Sequence, residues 1–295
     1  MKKYIIVCTL ALFLIMPLIG VSGEFSTKSP EIIGSSATLE STHTVLIEYV
    51  GQTTCGYCPT ASNQLSSIYA AGDLDFYYVS MMVDVNRRVY PRVQELGVTG
   101  TPDVYFDGGY RNINGAQGDE QPYRNAIIQS GEREVPDVDI DVDVQLMGGG
   151  TLKIFVTITN NEAEEYNGHL RVYIVEPEAR WEYVGGGDIH YGVLDIPIDK
   201  SLAMPQGTIK SLGDTYTFKK TWFGFLHGFG DITQDNIMVI AAVFDKNTDH
   251  SVQTASAEPT VASYDLFQFI SSRPMMVLLK LMRGQGVLSS LLNLI

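Results

Sequence analysis

Cysteine is scarce in this sequence, which has only three among its 295 residues. One of them, Cys8, lies in an N-terminal apolar run, and the other two, Cys55 and Cys58, stand two residues apart in the stretch TTCGYCPTA. A small secreted domain stapled by disulfides has more cysteines at wider spacings, so that class is excluded. Zinc is disfavoured, because a structural site needs about four ligands and the five histidines show no H-x₃₋₅-H spacing. An adjacent redox pair is the interpretation that remains.

Basic residues are also few. The chain has 20 Lys and Arg against 34 Asp and Glu, which gives a formal net charge of -14. Binding of nucleic acid needs a basic surface to neutralise phosphates, so the sequence predicts no nucleic-acid partner. With 45% hydrophobic and 18% charged residues, the chain has the composition of a globular protein and not of a disordered one.

The N-terminus has the pattern of a secretory leader. Two lysines precede an almost wholly apolar run at residues 4–19, and small residues follow it. This pattern predicts a signal peptide over residues 1–23, cleaved near Gly23. The alternative is an uncleaved anchor that spans a membrane. Both interpretations place the body of the protein outside the cytoplasm. The polar residues 24–43 are predicted to be a linker.

The next part of the chain alternates predicted strands and helices. Residues 44–50 (TVLIEYV) are typical of a buried strand, and the thiols follow at once. Apolar residues then recur at helical spacing up to Gly72, which is expected to end the helix. A strand at 74–84, a second helix, a strand at 103–106 with a hairpin partner and a last helix complete the pattern. The order β-α-β-α-β-β-α predicts an α/β domain over residues 44–134.

After residue 136 the hydrophobic period changes to strict alternation. DVDIDVDVQL at 137–146 and TLKIFVTITN at 151–160 show it most clearly. Several such strands predict an all-β, immunoglobulin-like sandwich over residues 137–262. The ladder of aspartates raises a calcium alternative, but the loop glycine and terminal glutamate of an EF-hand are missing, and alternation favours the wet face of a sheet. WEYVGGGD at 181–188 is interpreted as a flexible connector, with a ligand loop as the alternative.

Residues 264–295 are predicted to form an amphipathic helical tail. One helical face collects the apolar residues Val287, Leu288, Leu291, Leu292 and Ile295. Lys280 and Arg283 interrupt the apolar run, and because such charges are costly at the centre of a bilayer, a transmembrane span is disfavoured. Two interpretations stay open: the tail lies on a membrane or partner surface, or it packs on its own protein.

The position of the cysteine pair between a strand and a helix gives a physical reason for reactivity. The first N–H groups of a helix lack intrahelical partners, and the helix dipole there favours negative charge. Cys55 at this terminus should therefore ionise more readily than a free thiol and act as the nucleophile. Cys58, one turn into the helix, should be less exposed and should resolve the mixed disulfide.

A second motif follows the cysteine pair, where Thr101 and Pro102 begin a predicted strand in GVTGTPDVYFDGG. Together with the C-x-x-C at a helix start, it makes residues 44–132 resemble the thioredoxin superfamily. The resemblance is to thioredoxin itself or to secreted relatives that append a β-sandwich, because the spacing leaves no room for the helical insertion of periplasmic disulfide isomerases. It implies a redox-active Cys55–Cys58 disulfide and a cis Pro102 that faces it. It also implies that Thr101 offers backbone groups to an extended substrate.

The resemblance names further candidates beside the thiols. Family members often bury an acid on the preceding strand, where it exchanges a proton with the resolving cysteine. Glu48 is the candidate, and burial should raise its pKa. It stands seven residues before Cys55, one more than the expected spacing, and the alternative is a glutamate at the sheet edge that reaches solvent. Thr54 replaces the aromatic residue that commonly precedes the first cysteine, so Tyr57 is expected to supply part of the substrate-facing surface.

These observations predict an extracytoplasmic thiol–disulfide oxidoreductase, whether secreted, periplasmic or at the cell surface, that acts on cysteines of secreted proteins. No bound cofactor is expected, because the dithiol itself carries the electrons, but a redox partner must recharge it. The direction of electron flow stays open. The alternative is a cell-surface binding or adhesion protein that uses the β-sandwich, with the thioredoxin-like domain as a scaffold.

Overall fold

The computed structural model describes residues 41–202 and 214–261. The predicted signal peptide (1–23), most of the linker (24–43) and the tail (264–295) lie outside these ranges. All described residues belong to one compact unit of the chain. Within them, no helix has the length and apolarity that a membrane span requires.

The first half of the fold follows the predicted order β-α-β-α-β-β-α. Its elements are β1 Val45–Gly51, α1 Cys58–Ala71, β2 Phe76–Met82, α2 Tyr90–Glu95, β3 Asp103–Phe106, β4 Arg111–Asn114 and α3 Gln121–Gly131. Gly72 ends α1 as predicted, with a left-handed φ of 65° that favours glycine at this position. The local periodicity was therefore sufficient to place these elements.

Strand β1 lies inside the sheet and is buried along its whole length. It pairs in parallel with β2 and antiparallel with β3, and β3 pairs with β4. Because successive side chains of a strand point to opposite faces, Val45, Ile47 and Tyr49 pack in the core that contains α1 and α3. Leu46 and Val50 pack in the core on the other face. The position of a β1 residue therefore decides whether its side chain can approach α1.

After α3 the described chain is almost entirely β, as the alternating pattern predicts. The elements are β5 Val138–Met147, β6 Thr151–Asn160, β7 Gly168–Glu182, β8 Asp188–Ser201, β9 Asp214–Phe223, α4 Gly224–His227, β10 Met238–Asp245, β11 Ser251–Ala257 and β12 Thr260–Val261. The sequence pattern does not predict β8 or β11. The stretch at 181–188, interpreted as a connector, contains the turn that joins β7 to β8.

The acidic ladder of β5 lies on the solvent face of its strand. Val138, Val142 and Val144 are buried. The exposed residues that alternate with them are Asp137, Asp139, Asp141 and Asp143. In the ranges that the structure describes, no group of three or more His, Cys, Asp or Glu is arranged to hold a metal ion. The interpretation of this ladder as the wet face of a sheet is confirmed.

One eight-stranded sheet runs through both halves, in the order β11-β10-β7-β8-β2-β1-β3-β4. Strand β8 connects the strands of the first half to those of the second. It pairs antiparallel with β7 and, where Ser80 lies beside Gly192, parallel with β2. A second sheet, β12-β5-β6-β9, shares a hydrophobic core with β7 and β10. The fold is thus mixed α/β and mostly β, and the eight-stranded sheet contains strands from both predicted domains, residues 44–134 and 137–262.

Side-chain hydrogen bonds reinforce the join between the halves. The Ser80 hydroxyl donates to the His190 carbonyl at 2.6 Å. The Asn86 side chain donates to the carbonyls of Val193 and Leu194 at 2.6 and 3.1 Å. Buried backbone carbonyls of β8 are thereby satisfied next to its short pairing with β2. These bonds hold β8, and the turn that precedes it, against the first half.

Candidate active site

The two cysteines of the motif are joined in a disulfide, with Cα atoms 5.4 Å apart. They lie between the carboxyl end of β1 and the start of α1. Cys58 is fully buried, whereas Cys55 is partly exposed, and Tyr57 between them is 73% exposed. The prediction that Cys58 is less exposed than Cys55 is confirmed.

The start of α1 is directed at Cys55. The helix begins at Cys58, three residues later than the apolar spacing predicts, and its first turn contains no acidic residue. The backbone N–H of Cys58 donates to the Sγ of Cys55 at 3.1 Å. In the reduced pair, the same N–H and the helix dipole favour a thiolate on Cys55.

The prolyl bend lies against the accessible sulfur. The peptide bond between Thr101 and Pro102 is cis, as the resemblance implies. The carbonyl oxygen of Thr101 lies 3.6 Å from the Sγ of Cys55. The backbone N–H of Gly115 donates to the Pro102 carbonyl at 2.8 Å, which holds the bend in place. The structure thus brings together the two motifs that the sequence separates.

A groove of about 400 Å³ opens beside this bend. Its lining includes Gln52, Val83, Tyr90, Val98 and Thr101. The Thr101 hydroxyl donates to the side-chain oxygen of Gln52 at 3.4 Å. Because the lining mixes apolar side chains with polar groups, the groove suits a side chain of a bound polypeptide.

Glu48, the predicted proton-exchanging acid, does not share a face with the cysteine pair. The alternation along β1 places it with Leu46 and Val50, opposite the face that packs against Cys58. The alternative of an edge position is also wrong, because β1 has a strand on each side. The thickness of the sheet therefore separates the carboxylate from the thiols, which argues against the proton-exchange role.

The carboxylate of Glu48 is held in a buried ion pair. Arg92 donates to it from two nitrogens at 2.7 and 2.6 Å, and the Tyr173 hydroxyl donates at 2.5 Å. Burial raises the pKa of Glu48, but the charge and hydrogen bonds of Arg92, helped by Arg171 and Tyr173, outweigh burial and lower the pKa. The predicted rise of the pKa is therefore wrong. The sequence pattern shows that Glu48 is buried but does not show its partner on α2.

Tyr49 is the β1 residue whose side chain reaches the cysteine pair. Its hydroxyl donates to the Cys58 carbonyl at 3.1 Å. Burial raises the pKa of Tyr49 well above its usual value, so the hydroxyl is a neutral donor at neutral pH. The sequence analysis did not single out Tyr49, although it stands six residues before Cys55, at the spacing expected for the family acid.

Asp84, just after β2, anchors the loop that precedes Cys55. Its carboxylate accepts the Thr53 hydroxyl at 2.6 Å, the Thr53 backbone N–H at 2.9 Å and the Thr54 backbone N–H at 3.3 Å. Partial burial raises the pKa of Asp84, but these hydrogen bonds outweigh it and the net pKa is lowered. The sequence carries no local signal for this contact, because Asp84 and the loop are far apart along the chain.

Replacing Asp84 by Asn is expected to weaken the loop and to remove a pH-dependent part of the stability. Because the pKa is lower in the folded state than in the unfolded one, the carboxylate stabilises the fold above about pH 4, and this contribution is lost as the pH falls through the folded-state pKa. At neutral pH the variant should melt roughly 2–4 °C below the wild type. Calorimetry at several pH values between neutral and acidic should show that the difference in melting temperature between the variant and the wild type shrinks as the pH falls. A difference in melting temperature that does not change with pH would contradict this role, and Asp141→Asn, at an exposed position on the wet face of β5, controls for loss of charge.

No protein-family model matches the sequence, and no curated protein matches it. Among solved structures, the chain is similar to HBP35 of Porphyromonas gingivalis, with a TM-score of 0.60 and 12% identity, covering 76% of this chain and 78% of that one. A protein from Agrobacterium tumefaciens has a TM-score of 0.45 and 14% identity over 76% of this chain and 98% of that one. A domain of the outer membrane lipoprotein Omp28 from P. gingivalis has a TM-score of 0.29 and 14% identity over 44% and 93%. Of these three, the likeness to HBP35 is the one close enough to inform the fold, and it supports the mixed, β-rich architecture.

Proposed function

We propose that this protein is an extracytoplasmic thiol–disulfide oxidoreductase with a thioredoxin-like module, residues 44–134, and an appended immunoglobulin-like sandwich, residues 137–262. One observation carries the proposal: a cis-prolyl bend lies 3.6 Å from the accessible sulfur of a C-x-x-C disulfide, through the carbonyl of Thr101. The helix that starts at Cys58 supports it, because its first N–H already bonds the sulfur of Cys55. The leader at the N-terminus supports an extracytoplasmic location.

Electron transfer starts from the reduced pair. The Cys55 thiolate attacks one sulfur of a substrate disulfide, so that a mixed disulfide forms, the substrate S–S bond breaks and the other substrate sulfur leaves as a thiolate. The Cys58 thiolate then attacks the Cys55 sulfur, the mixed disulfide breaks and the second substrate sulfur leaves. Each cysteine releases its thiol proton to solvent when it ionises, and each leaving substrate thiolate takes up one proton from solvent, so the protons balance. Two electrons pass to the substrate, and the reverse sequence oxidises a substrate dithiol.

The residues around the pair have separate roles in this scheme. Thr101 and Pro102 position an extended substrate, whose cysteine meets the sulfur of Cys55. Tyr57 offers its exposed ring to the same substrate. Tyr49 holds the Cys58 carbonyl and so fixes the first turn of α1. The dithiol carries the electrons without a bound cofactor, and a redox partner resets it after each turnover.

Reduction of insulin by dithiothreitol tests the proposal. The wild-type protein is expected to accelerate the precipitation of reduced insulin chains at catalytic concentrations. Equilibration of the pair with glutathione then gives the direction, because a potential near about -270 mV indicates a reductant and one near about -120 mV indicates an oxidase. A pair that neither accelerates insulin reduction nor equilibrates with glutathione would contradict the proposal and favour a binding or adhesion protein.

A further inference from the structure

The turn between β7 and β8 comes from the β-rich half but lies beside the redox pair. The backbone N–H of Val184 donates to the carbonyl of Thr53 at 2.8 Å. Thr53 belongs to the loop that leads directly into Cys55. The turn is therefore bonded to the segment that carries the accessible sulfur, although it lies far away along the sequence.

A second contact anchors the turn below the pair. Tyr183 is buried, with 3% of its surface exposed, in the same core as Cys58. Its hydroxyl lies 3.0 Å from that of Tyr49, which in turn donates to the Cys58 carbonyl at 3.1 Å. The turn is thus linked to the loop before Cys55 through Thr53 and to Cys58 through Tyr49. These two links give the turn a defined position at the site.

Glycines shape the turn so that Val184 points outward. Gly185, Gly186 and Gly187 have φ values of 103°, 96° and 116°, which other residues rarely adopt. The Gly186 N–H donates to the Tyr183 carbonyl at 2.9 Å, and the Tyr183 N–H donates to the Gly187 carbonyl at 3.1 Å. Val184 is held at the tip with 75% of its surface exposed. The stretch interpreted from sequence as a flexible connector is a hydrogen-bonded turn.

Other exposed apolar side chains belong to segments of the same site. Tyr57 lies between the cysteines and is 73% exposed, close to the 75% of Val184. Val85 follows the acid that anchors the Thr53 loop, and Tyr90 lines the groove beside the prolyl bend. Single exposed apolar residues are common, but several grouped around one reactive disulfide indicate a surface that binds a partner.

We propose that the turn 183–187, which we call the β7–β8 turn, is a substrate-binding element of the redox site. Val184 and Tyr57 contact apolar residues that flank a substrate cysteine, while Thr101 pairs with the substrate backbone. The ligand is an extended, apolar segment of a cysteine-containing polypeptide. A disulfide must reach Cys55 to react, and the turn is bonded to Thr53, two residues before Cys55, so the turn offers a contact to residues that flank the substrate cysteine. This inference rests on the proposed function and adds the substrate class and a contribution from the second half.

Val184→Ser tests this inference, with Leu226→Ser as the matched control, since Leu226 is 65% exposed on α4. Each protein reduces two substrates: a peptide disulfide flanked by leucines, and glutathione disulfide, which lacks apolar flanks. Val184→Ser is expected to lower kcat/KM for the apolar peptide roughly tenfold and to leave glutathione unaffected. Leu226→Ser should match the wild type on both. Val184→Lys should additionally shift the preference toward a glutamate-flanked peptide.

The outcomes separate this inference from the proposed function. Wild-type rates for Val184→Ser on the apolar peptide would overturn the role of the β7–β8 turn and leave the redox function standing. An equal loss on both substrates would also overturn it, because the variant would then disturb the cysteine pair itself. A wild type that neither reduces these disulfides nor oxidises the corresponding dithiols would overturn the proposed function, and the inference with it.

Discussion

Replacing Cys55 by serine is expected to abolish thiol–disulfide exchange, with a loss in kcat/KM of at least about 10³-fold. The serine hydroxyl is a far weaker nucleophile than a thiolate, and Cys58 cannot substitute for the missing sulfur because it is fully buried. The insulin assay and single-turnover reduction of a peptide disulfide measure the effect. Melting temperatures under reducing conditions should be similar to those of the reduced wild type, which controls for misfolding.

Cys58→Ser separates the two sulfurs, because it removes only the resolving step. Cys55 can still attack, since the residue is partly exposed and its Sγ accepts the backbone N–H of residue 58. The variant should therefore accumulate mixed disulfides with substrates, visible as adducts on non-reducing gels and by mass spectrometry. The opposite pattern, adducts on Cys55→Ser and none on Cys58→Ser, would show that the roles of the two cysteines are reversed.

Replacing Arg92 by Met is expected to destabilise the fold by about 3–5 kcal/mol, because it leaves the Glu48 carboxylate buried without its cationic partner. Both side chains are almost fully buried, with exposed fractions of 6% and 0%. Urea unfolding measures the loss in the free energy of unfolding. Arg124→Met is the matched control, since its ion pair with Asp73 is partly exposed and should be worth less than about 1 kcal/mol.

A second variant tests the cause of this destabilisation. Glu48→Gln combined with Arg92→Met removes the stranded charge, so the double variant should recover part of the loss. A single variant Arg92→Met that stays within about 1 kcal/mol of the wild type would show that the ion pair is not needed. Glu48→Gln alone should retain its rate of disulfide exchange, because the carboxylate lies on the other face of β1. A large fall in that rate, without unfolding, would restore the proton-exchange role.

The first half of the fold could be predicted because its signals are local. The helix after the cysteines ends at Gly72, which has a left-handed φ. A glycine that follows the last apolar residue of a helical pattern is enough to predict this end. The strand at 103–106 is bounded by the prolyl bend and a glycine turn. Each of these patterns extends over only a few residues, so it can be recognised without knowing how the rest of the chain folds.

The errors concern contacts that only folding brings together. The pairing of β8 with β2 was not predicted because β2 comes from the other half of the chain, and the pairing is confined to Ser80 and Gly192, which leaves no local pattern. The turn at 183–187 looked flexible because glycines also occur in loops, whereas its hydrogen bonds to Thr53 and within the turn give it a fixed form. The sequence predicts that Glu48 faces the cysteines, but the residue that does so is Tyr49, the next one along β1. Neighbouring residues of a strand point to opposite faces of the sheet, so a shift of one position changes the face.

The C-x-x-C motif and the order of elements around it could be predicted from the sequence alone, because they depend on residue types at short spacings, and the cis bond at Pro102 was implied by the resemblance to the thioredoxin superfamily. The folded structure was needed to show that Tyr49 and not Glu48 faces the cysteines, that Arg92 neutralises the buried carboxylate, and that Tyr183 of the β7–β8 turn packs in the core that contains Cys58. Each of these depends on which distant side chains are buried together. The free energy of such contacts arises from desolvation and pairing in the folded core, and no local pattern of residues encodes it.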